Sequence, residues 1–472
     1  MDKKIIVVLV VAVLVVAGVA VFLLLPQSSK APSNIDVELE IFGNANKDGK
    51  IDDADAKLVS DYIKAKENND QAALSDIEPK ISVRFADANC DGSINQTDVD
   101  QINDIIKGKE KYLWLLDGFG NEKKIKAGAS KIGCEYFANT ELCLILGLVD
   151  KIYAVDYAPY MYKDFYFDKE KAATVKSLGN MNDPSYDDVN KVGIDILLTF
   201  YNKQYDVKQD KIYNCDVLYL GCYLPDITNT EKSSFVQGVL KAGYVFNVVD
   251  RATDYVNWLL DYRDQLLKIA NSIPEADKPT IMAATYGSAY FVDGSNTTVT
   301  AYKLTDPIGQ GIKLGGGHNV TDDVAEKDIT KNGTNGITVS IDTVLGTNTT
   351  VDYILLHMVK YTYGGSEQVS TPHHGHVYSA ADEAKSGELR AALQQMEALD
   401  LVEDDMTVYL IAGEFRNGCT AGVLLGAYIG SIVNPDAYKN IDPEKMTQEY
   451  YDWMGIKGKT PKDNAIYFYP QA

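Results

Sequence analysis

Two twelve-residue stretches carry the densest chemistry in the chain. The first sets side-chain oxygens of Asn44, Asn46, Asp48, Asp52 and Asp55 at positions one, three, five, nine and twelve, with the backbone carbonyl of Lys50 at seven. The second repeats the register with Asp87, Asn89, Asp91, Asn95 and Asp98, and Ser93 at seven. Gly49 and Gly92 at position six permit the sharp turn, and Ile51 and Ile94 at position eight pack inward. Oxygens wrapped in this order suit a hard cation, and two matches in one register point to two calcium ions rather than to an accidental acidic turn. A second feature is Thr371-Pro-His373-His374-Gly-His376, which holds three of the five histidines. Imidazole nitrogens there suit iron, zinc or a corrinoid's cobalt, although a polar loop beside proline also accommodates histidines without any ligand. No carboxylate pair, nucleophile triad or phosphate loop stands out, so no catalytic residue is assigned and an enzyme is not expected.

Each oxygen-rich loop runs into a helical pattern, at 56–64 and 99–107. The D-x-N-x-D-G form with aspartate at position twelve resembles a type I dockerin, a small all-α pair of EF-hand-like units, over residues 37–111. That resemblance implies two bound calcium ions and a cohesin-like partner. Asn44 departs from the family's aspartate at position one, and the spacing between the loops is longer than the family's usual.

The chain has 472 residues, 46% of them hydrophobic, enough for several domains with real cores. A net charge of −22 without any basic patch argues against nucleic acid as a partner and suits a solvated surface or divalent cations. Residues 5–25 form an apolar run behind Lys3 and Lys4, which reads as a membrane segment with the bulk of the chain on the extracellular side of a prokaryotic cell. Residues 1–26 are therefore an anchor. A cleaved signal, with Gly18 and Ala20 at the peptidase site, is the competing reading. Residues 27–36 are a polar linker. Six cysteines follow in a compartment that permits disulfides: Cys134 and Cys143, and Cys215 and Cys222, are close enough in sequence to pair, while buried free thiols are the alternative.

From residue 112 the pattern alternates between strand and helix, with strands at 131–136, 151–156, 194–200 and 351–356 and a helix at 139–148. Between the halves lies one amphipathic helix, 250–273, in which Tyr255, Leu259, Tyr262, Leu266, Ile269 and Ile273 recur at intervals of four and three, Asp250 caps the start and Pro274 stops it. On either side a Ser-x-Asp-x-Val cap, at Ser185 to Val189 and at Ser340 to Val344, opens a short helix.

This region is similar to the helix-linked substrate-binding proteins of iron-siderophore, haem and cobalamin ABC importers. The likeness runs through Asn139-Thr-Glu141, Leu146 to Ile152, Leu178-Gly-Asn180, Gly315 to Asp322 and Ile441-Asp-Pro443. It implies an α/β fold of two Rossmann-like lobes, 112–249 and 274–472, joined by the helix, with a metal chelate held between them and an ABC permease and its ATPase as partners. It also assigns Asp187 and Asp342 to permease docking, though both equally suit a helix's first turn. Ligand contacts are expected at the carboxyl ends of the strands: Tyr136, Tyr157, Tyr160, Tyr201 and Tyr223 in the first lobe, and Tyr286, His318, His357, Tyr361 and Arg416 in the second. The three loop histidines join that set. A surface scaffold that docks to cohesin partners is the rival function.

Overall fold

The computed structural model describes residues 35–181, 184–200, 205–222, 226–229, 233–286, 297–333, 336–345, 351–358, 383–397 and 406–470. The expected membrane segment lies outside the described residues, and among those described no helix is long and apolar enough to cross a membrane.

Helices Asp53–Glu67 and Gln96–Ile106 follow the two oxygen-rich loops and pack on each other. Position nine starts each one. Asp52 and Asn95 accept hydrogen bonds from the amides of Ala54 and Thr97, and Asp55 and Asp98 reach back to the cap residue, closing a capping box in both loops. The loop spacing therefore also dictates where the helices begin.

Strands β1 (Tyr112–Leu116) and β2 (Glu122–Lys126) form an antiparallel hairpin. The first lobe follows as a five-stranded parallel sheet of β3 (Ile132–Cys134), β4 (Ile152–Val155), β5 (Lys176–Ser177), β6 (Ile196–Leu198) and β7 (Asp216–Leu218), in the order β5-β4-β3-β6-β7. Every residue of β3 and β6 is buried, as strands covered on both faces require. Strand order reverses between β3 and β6, which opens a crevice at their carboxyl ends.

The second lobe has its own sheet, separate from the first. It contains β8 (Thr280–Thr285), β9 (Thr298–Ala301), β10 (His318–Asn319), β11 (Ile329–Gly333), β12 (Gly336–Ser340), β13 (Tyr353–Met358), β14 (Thr407–Ala412) and β15 (Phe468–Tyr469). β8, β13 and β14 run parallel at its centre, with antiparallel strands on both flanks and β10 beside β8.

One helix of 22 residues, Val249–Ala270, joins the sheets, a length of roughly 33 Å. It packs on helix Ser234–Val245 of the first lobe and on helices Pro307–Leu314 and Val423–Val433 of the second. Its stripe is covered as the periodicity requires: Tyr255, Leu259 and Leu266 are buried. The ends differ from expectation. Asp250 sits in the first turn while Val248 precedes the helix, and the chain leaves the helix at Asn271, ahead of Pro274, where the Asn271 amide closes onto Leu267. Leu259→Ala is expected to cost ~2–5 kcal/mol, because the site lies between packed helices that cannot collapse onto the void. Urea unfolding of the full chain measures it, and a loss below about 1 kcal/mol contradicts this packing.

The expected strands are all present but shorter or shifted by a residue or two, and the helix expected from 139 begins at Tyr136. Of the two alternatives for the cysteines, free thiols are what the structure shows. All six cysteines are free; Cys134 and Cys143 have their sulfurs 3.6 Å apart, and burial pushes the Cys215 and Cys222 thiols up to about 12.

Candidate ligand cleft and calcium loops

The carboxyl ends of β3 and β14 meet across the boundary between the lobes. Tyr136, which follows β3, donates its hydroxyl to Asn417 Oδ1 in the short helix Glu414–Asn417 after β14, at 2.5 Å. Tyr136 has a φ of 70°, a left-handed turn rare for a bulky residue, and its ring stacks on Phe200 with centroids 4.2 Å apart. That turn passes the chain directly from strand to helix, Tyr136–Ile145. Its sixth residue, Glu141, is fully buried and bridges the lobes: one carboxylate oxygen accepts from Tyr166 Oη of its own lobe at 2.9 Å, the other from the Cys419 amide at 2.8 Å and from Tyr450 of the second. Burial lifts the Glu141 carboxyl to about 7 against these bonds.

Beneath the crevice of the first lobe lies a charged group that sequence reasoning did not select. Glu135 Oε2 accepts from Lys208 Nζ and from Thr199 Oγ1, both at 2.6 Å, and from the Phe200 amide at 3.0 Å. Lys208 is wholly buried. Asp156, at the carboxyl end of β4, is also buried, and its Oδ1 has no hydrogen-bond partner among the described residues. Burial first, and the neighbouring Glu135 charge second, hold the Asp156 carboxyl well above its ordinary value. A carboxylate left in this condition favours a proton or a cationic group of a ligand.

In the second lobe Arg416 departs from expectation. Its guanidinium is buried and doubly bonded to Asp306, Nε to Oδ2 at 2.9 Å and Nη2 to Oδ2 at 2.8 Å, and it lies 4.8 Å from the centre of the Tyr302 ring. It therefore already faces a carboxylate of its own lobe. His357 is buried within β13, with Nδ1 3.1 Å from the Tyr302 hydroxyl, below the rim rather than on it. His318 stands at the wrong end of the sheet. β10 pairs with the amino end of β8, His318 opposite Thr280, and its ring nitrogens lie 3.2 Å from Glu275 and 2.7 Å from Asp323.

Tyr286 and Tyr157 do follow the carboxyl ends of β8 and β4. Tyr286 is buried and donates to Gln395 at 3.3 Å, while Tyr157 is exposed and Tyr160 is half-buried beside Lys163. Tyr201, Tyr223, Tyr361, His373, His374 and His376 lie outside the described residues. Asp187 and Asp342 are both exposed in the first turns of helices Tyr186–Val192 and Ile341–Leu345. Two hollows, of about 430 and 510 Å³, border the linker helix away from these strand ends, one beside Trp258, Tyr262 and Glu449 and the other beside Leu144, Phe165 and Arg251.

In the two oxygen-rich loops the backbone already turns around the oxygens. Asp55 is buried and accepts from the amides of Asn46 and Asp52; Asp98 does the same for Asn89 and Asn95. Asp87 accepts from the amides of Asp91 and Gly92 at 3.0 and 2.8 Å. Among the described residues no three His, Cys, Asp or Glu side chains converge to hold an ion by themselves. These loops also draw on amide and backbone oxygens, which such a grouping does not include. Asn44 supplies the test of fit: its Nδ2 donates to the carbonyls of Leu39 and Asp48, both at 2.7 Å, and its buried Oδ1 accepts nothing among the described residues. An oxygen with unspent lone pairs at position one suits a cation, and so does Asp55, whose carboxyl burial lifts to about 6.

The dockerin type I domain family matches residues 43–107. No curated protein matches the chain by sequence. Among solved structures, the TroA-like periplasmic binding protein FepB from Veillonella parvula superposes with a TM-score of 0.52 at 15% identity, covering 75% of this chain and 98% of its own. The molybdate periplasmic binding protein MolA of a Haemophilus influenzae ABC transporter does so with 0.51 at 14% identity, covering 74% and 99%. The fold from the hairpin onward is thus that of the TroA-like periplasmic binding proteins.

Proposed function

We propose that this chain, with the fold of TroA-like binding proteins and a dockerin type I module, is the extracytoplasmic receptor of an ABC importer for an iron chelate or related metal complex. One observation carries the reading: two separate α/β lobes bring the carboxyl ends of β3 and β14 together across a boundary spanned by one amphipathic helix with its apolar face buried. Ligand would lodge above the Glu135, Lys208 and Asp156 group, beneath the tyrosines after β4, and His373, His374 and His376, outside the described residues, are proposed as further contacts. A siderophore, haem or cobalamin each offers polar edges to such a rim and apolar area to its aromatic rings. The apolar run at residues 5–25 would tether the receptor to the membrane, with residues 37–111 holding two calcium ions and residues 112–249 and 274–472 forming the lobes.

Quenching of intrinsic tryptophan and tyrosine fluorescence in calcium-containing buffer tests the reading against ferric siderophores, haem, cobalamin, molybdate and free metals. Saturable binding of one chelate is expected; saturation by none of them overturns it. Asp187 and Asp342 are proposed to meet basic residues of the permease, one from each lobe, since exposed charge at an interface steers docking. Charge reversal at both, Asp187→Arg with Asp342→Arg, is expected to leave chelate affinity unchanged and to lower uptake by about tenfold. Unchanged uptake assigns these residues to helix starts alone.

The dockerin type I match favours a second reading, a surface scaffold that docks to a cohesin-like partner. Retention of the full chain on immobilised cohesin, reversed by calcium chelation, supports it. Genes for a permease and ATPase beside this one support the importer.

A further inference from the structure

The two calcium loops differ in what surrounds them. The first is pressed against the first lobe. The Ile51 amide, at position eight of that loop, donates to the hydroxyl of Tyr244 at 2.6 Å in a buried contact, and Tyr244 belongs to helix Ser234–Val245. Asn44, at position one, ties the loop to the segment before it through Leu39 and Asp48. That segment lies on the same helix. Glu40 receives the buried Lys241 ammonium at 2.6 Å, the Glu40 amide donates to Gln237 Oε1 at 3.2 Å, and Gln237 Nε2 donates back to the Glu38 carbonyl at 2.5 Å. The helix then turns at Asn247, with the Val248 amide bonded to Gly243, straight into the helix that joins the lobes.

The other loop faces outward. Asp91, Gly92 and Ser93 are exposed, and the hydrogen bonds that shape it run between its own residues, Asp87 to Asp91 and Gly92 and Asp91 to Ser93. Nearby, the hairpin is reached by a half-exposed pair, Arg84 with Glu122 at 2.7 Å, and by Gln101, whose Nε2 donates to the Tyr112 carbonyl at 2.9 Å.

We infer that the cation of the first loop is a brace for the receptor: by fixing Asn44, Asp48 and the Ile51 amide it holds helix Ser234–Val245 through Tyr244, Gln237 and Lys241, whereas the second loop's cation serves the small module alone. The inference rests on the calcium reading of both loops. Tyr244 is then a positioning residue rather than a ligand of the ion.

Hydrogen–deuterium exchange of the full chain, read over residues 234–245, separates the two roles. Chelation of calcium, or Asp48→Ala in calcium buffer, is expected to speed exchange there by about tenfold, and Asp91→Ala to leave it within about twofold. Tyr244→Phe keeps both ions and is expected to give the same acceleration as Asp48→Ala, which covers the case in which Asp48→Ala fails to fold. Titration calorimetry counts the ions in parallel: two for the natural chain and for Tyr244→Phe, one for Asp48→Ala and for Asp91→Ala. Equal acceleration by Asp91→Ala, or none with Tyr244→Phe, overturns the brace. Absence of calcium binding in the natural chain removes the reading beneath it, while leaving chelate binding by the lobes a separate question.

Discussion

Replacing Lys208 with methionine is expected to destabilise the folded chain by about 3–5 kcal/mol, the usual consequence of leaving a buried carboxylate without its partner. Lys208 and Glu135 are both buried, 2.6 Å apart, and share Thr199, whose hydroxyl donates to Glu135 and receives from Lys208 at 3.2 Å. Removing the ammonium leaves Glu135 with the Thr199 hydroxyl and the Phe200 amide as donors, and Asp156 nearby as a second buried acid. Lys208→Met combined with Glu135→Gln is expected to recover most of the loss, since the amide needs no counter-charge. Urea denaturation of the three proteins at pH 7 decides it. A single variant within about 1 kcal/mol of the natural chain would show that the pair is open to water. The pair sits where β3 and β6 diverge, so the same variant is also expected to weaken chelate binding.

Stability is expected to fall as pH rises from about 4.5 to about 7, and the fully buried Glu141 is one of the groups responsible, beside Asp55 and Glu110, whose carboxyls burial lifts to about 6 and about 7. Unfolded, the Glu141 carboxyl titrates at its ordinary value of 4.5; folded, burial moves it to about 7. Below 4.5 both states hold the proton and there is no difference between them. Between the two values only the folded state holds it, so each step upward in pH favours unfolding, and the loss is complete above about 7. Its size is on the order of 3 kcal/mol. Glu141→Gln removes this group's titration while keeping one oxygen for the Cys419 amide and offering an NH₂ to Tyr166. Thermal unfolding across this range is expected to show a slope for the natural chain and a flatter profile for the variant. Identical profiles would mean that Glu141 is charged throughout. Because its partners come from both lobes, the same proton influences how firmly the lobes meet.

Local features were legible in the residues themselves. The register of oxygens and the glycine turns are set by neighbours a few positions apart, and the structure starts both module helices after position nine. The linker helix was legible for the same reason, because a period near 3.6 over twenty residues has only one regular solution. Its exact ends were not: Val248 and Asn271 are chosen by packing and by backbone closure, not by the nearest Asp or Pro.

Loop position did not tell what each side chain would face. It selected His318, which pairing with β8 carries to the far end of the sheet, and Arg416, which Asp306 occupies from 110 residues away. It passed over Glu135, Lys208 and Asp156, since nothing local marks charged side chains that become partners only when β3, β4 and β6 align.

By itself, then, the order of residues settled the elements: which stretches coil, which extend, and where a cation's oxygens stand in a row. Only folding in three dimensions decided which charges lose water together, that Glu141 reaches from one lobe into the other, and that one oxygen-rich loop lies on Tyr244 while its counterpart is turned to solvent. The reason is range. Backbone periodicity and turn chemistry act over a few residues, whereas desolvation and pairing depend on groups that the chain brings together from 73 to 309 positions apart.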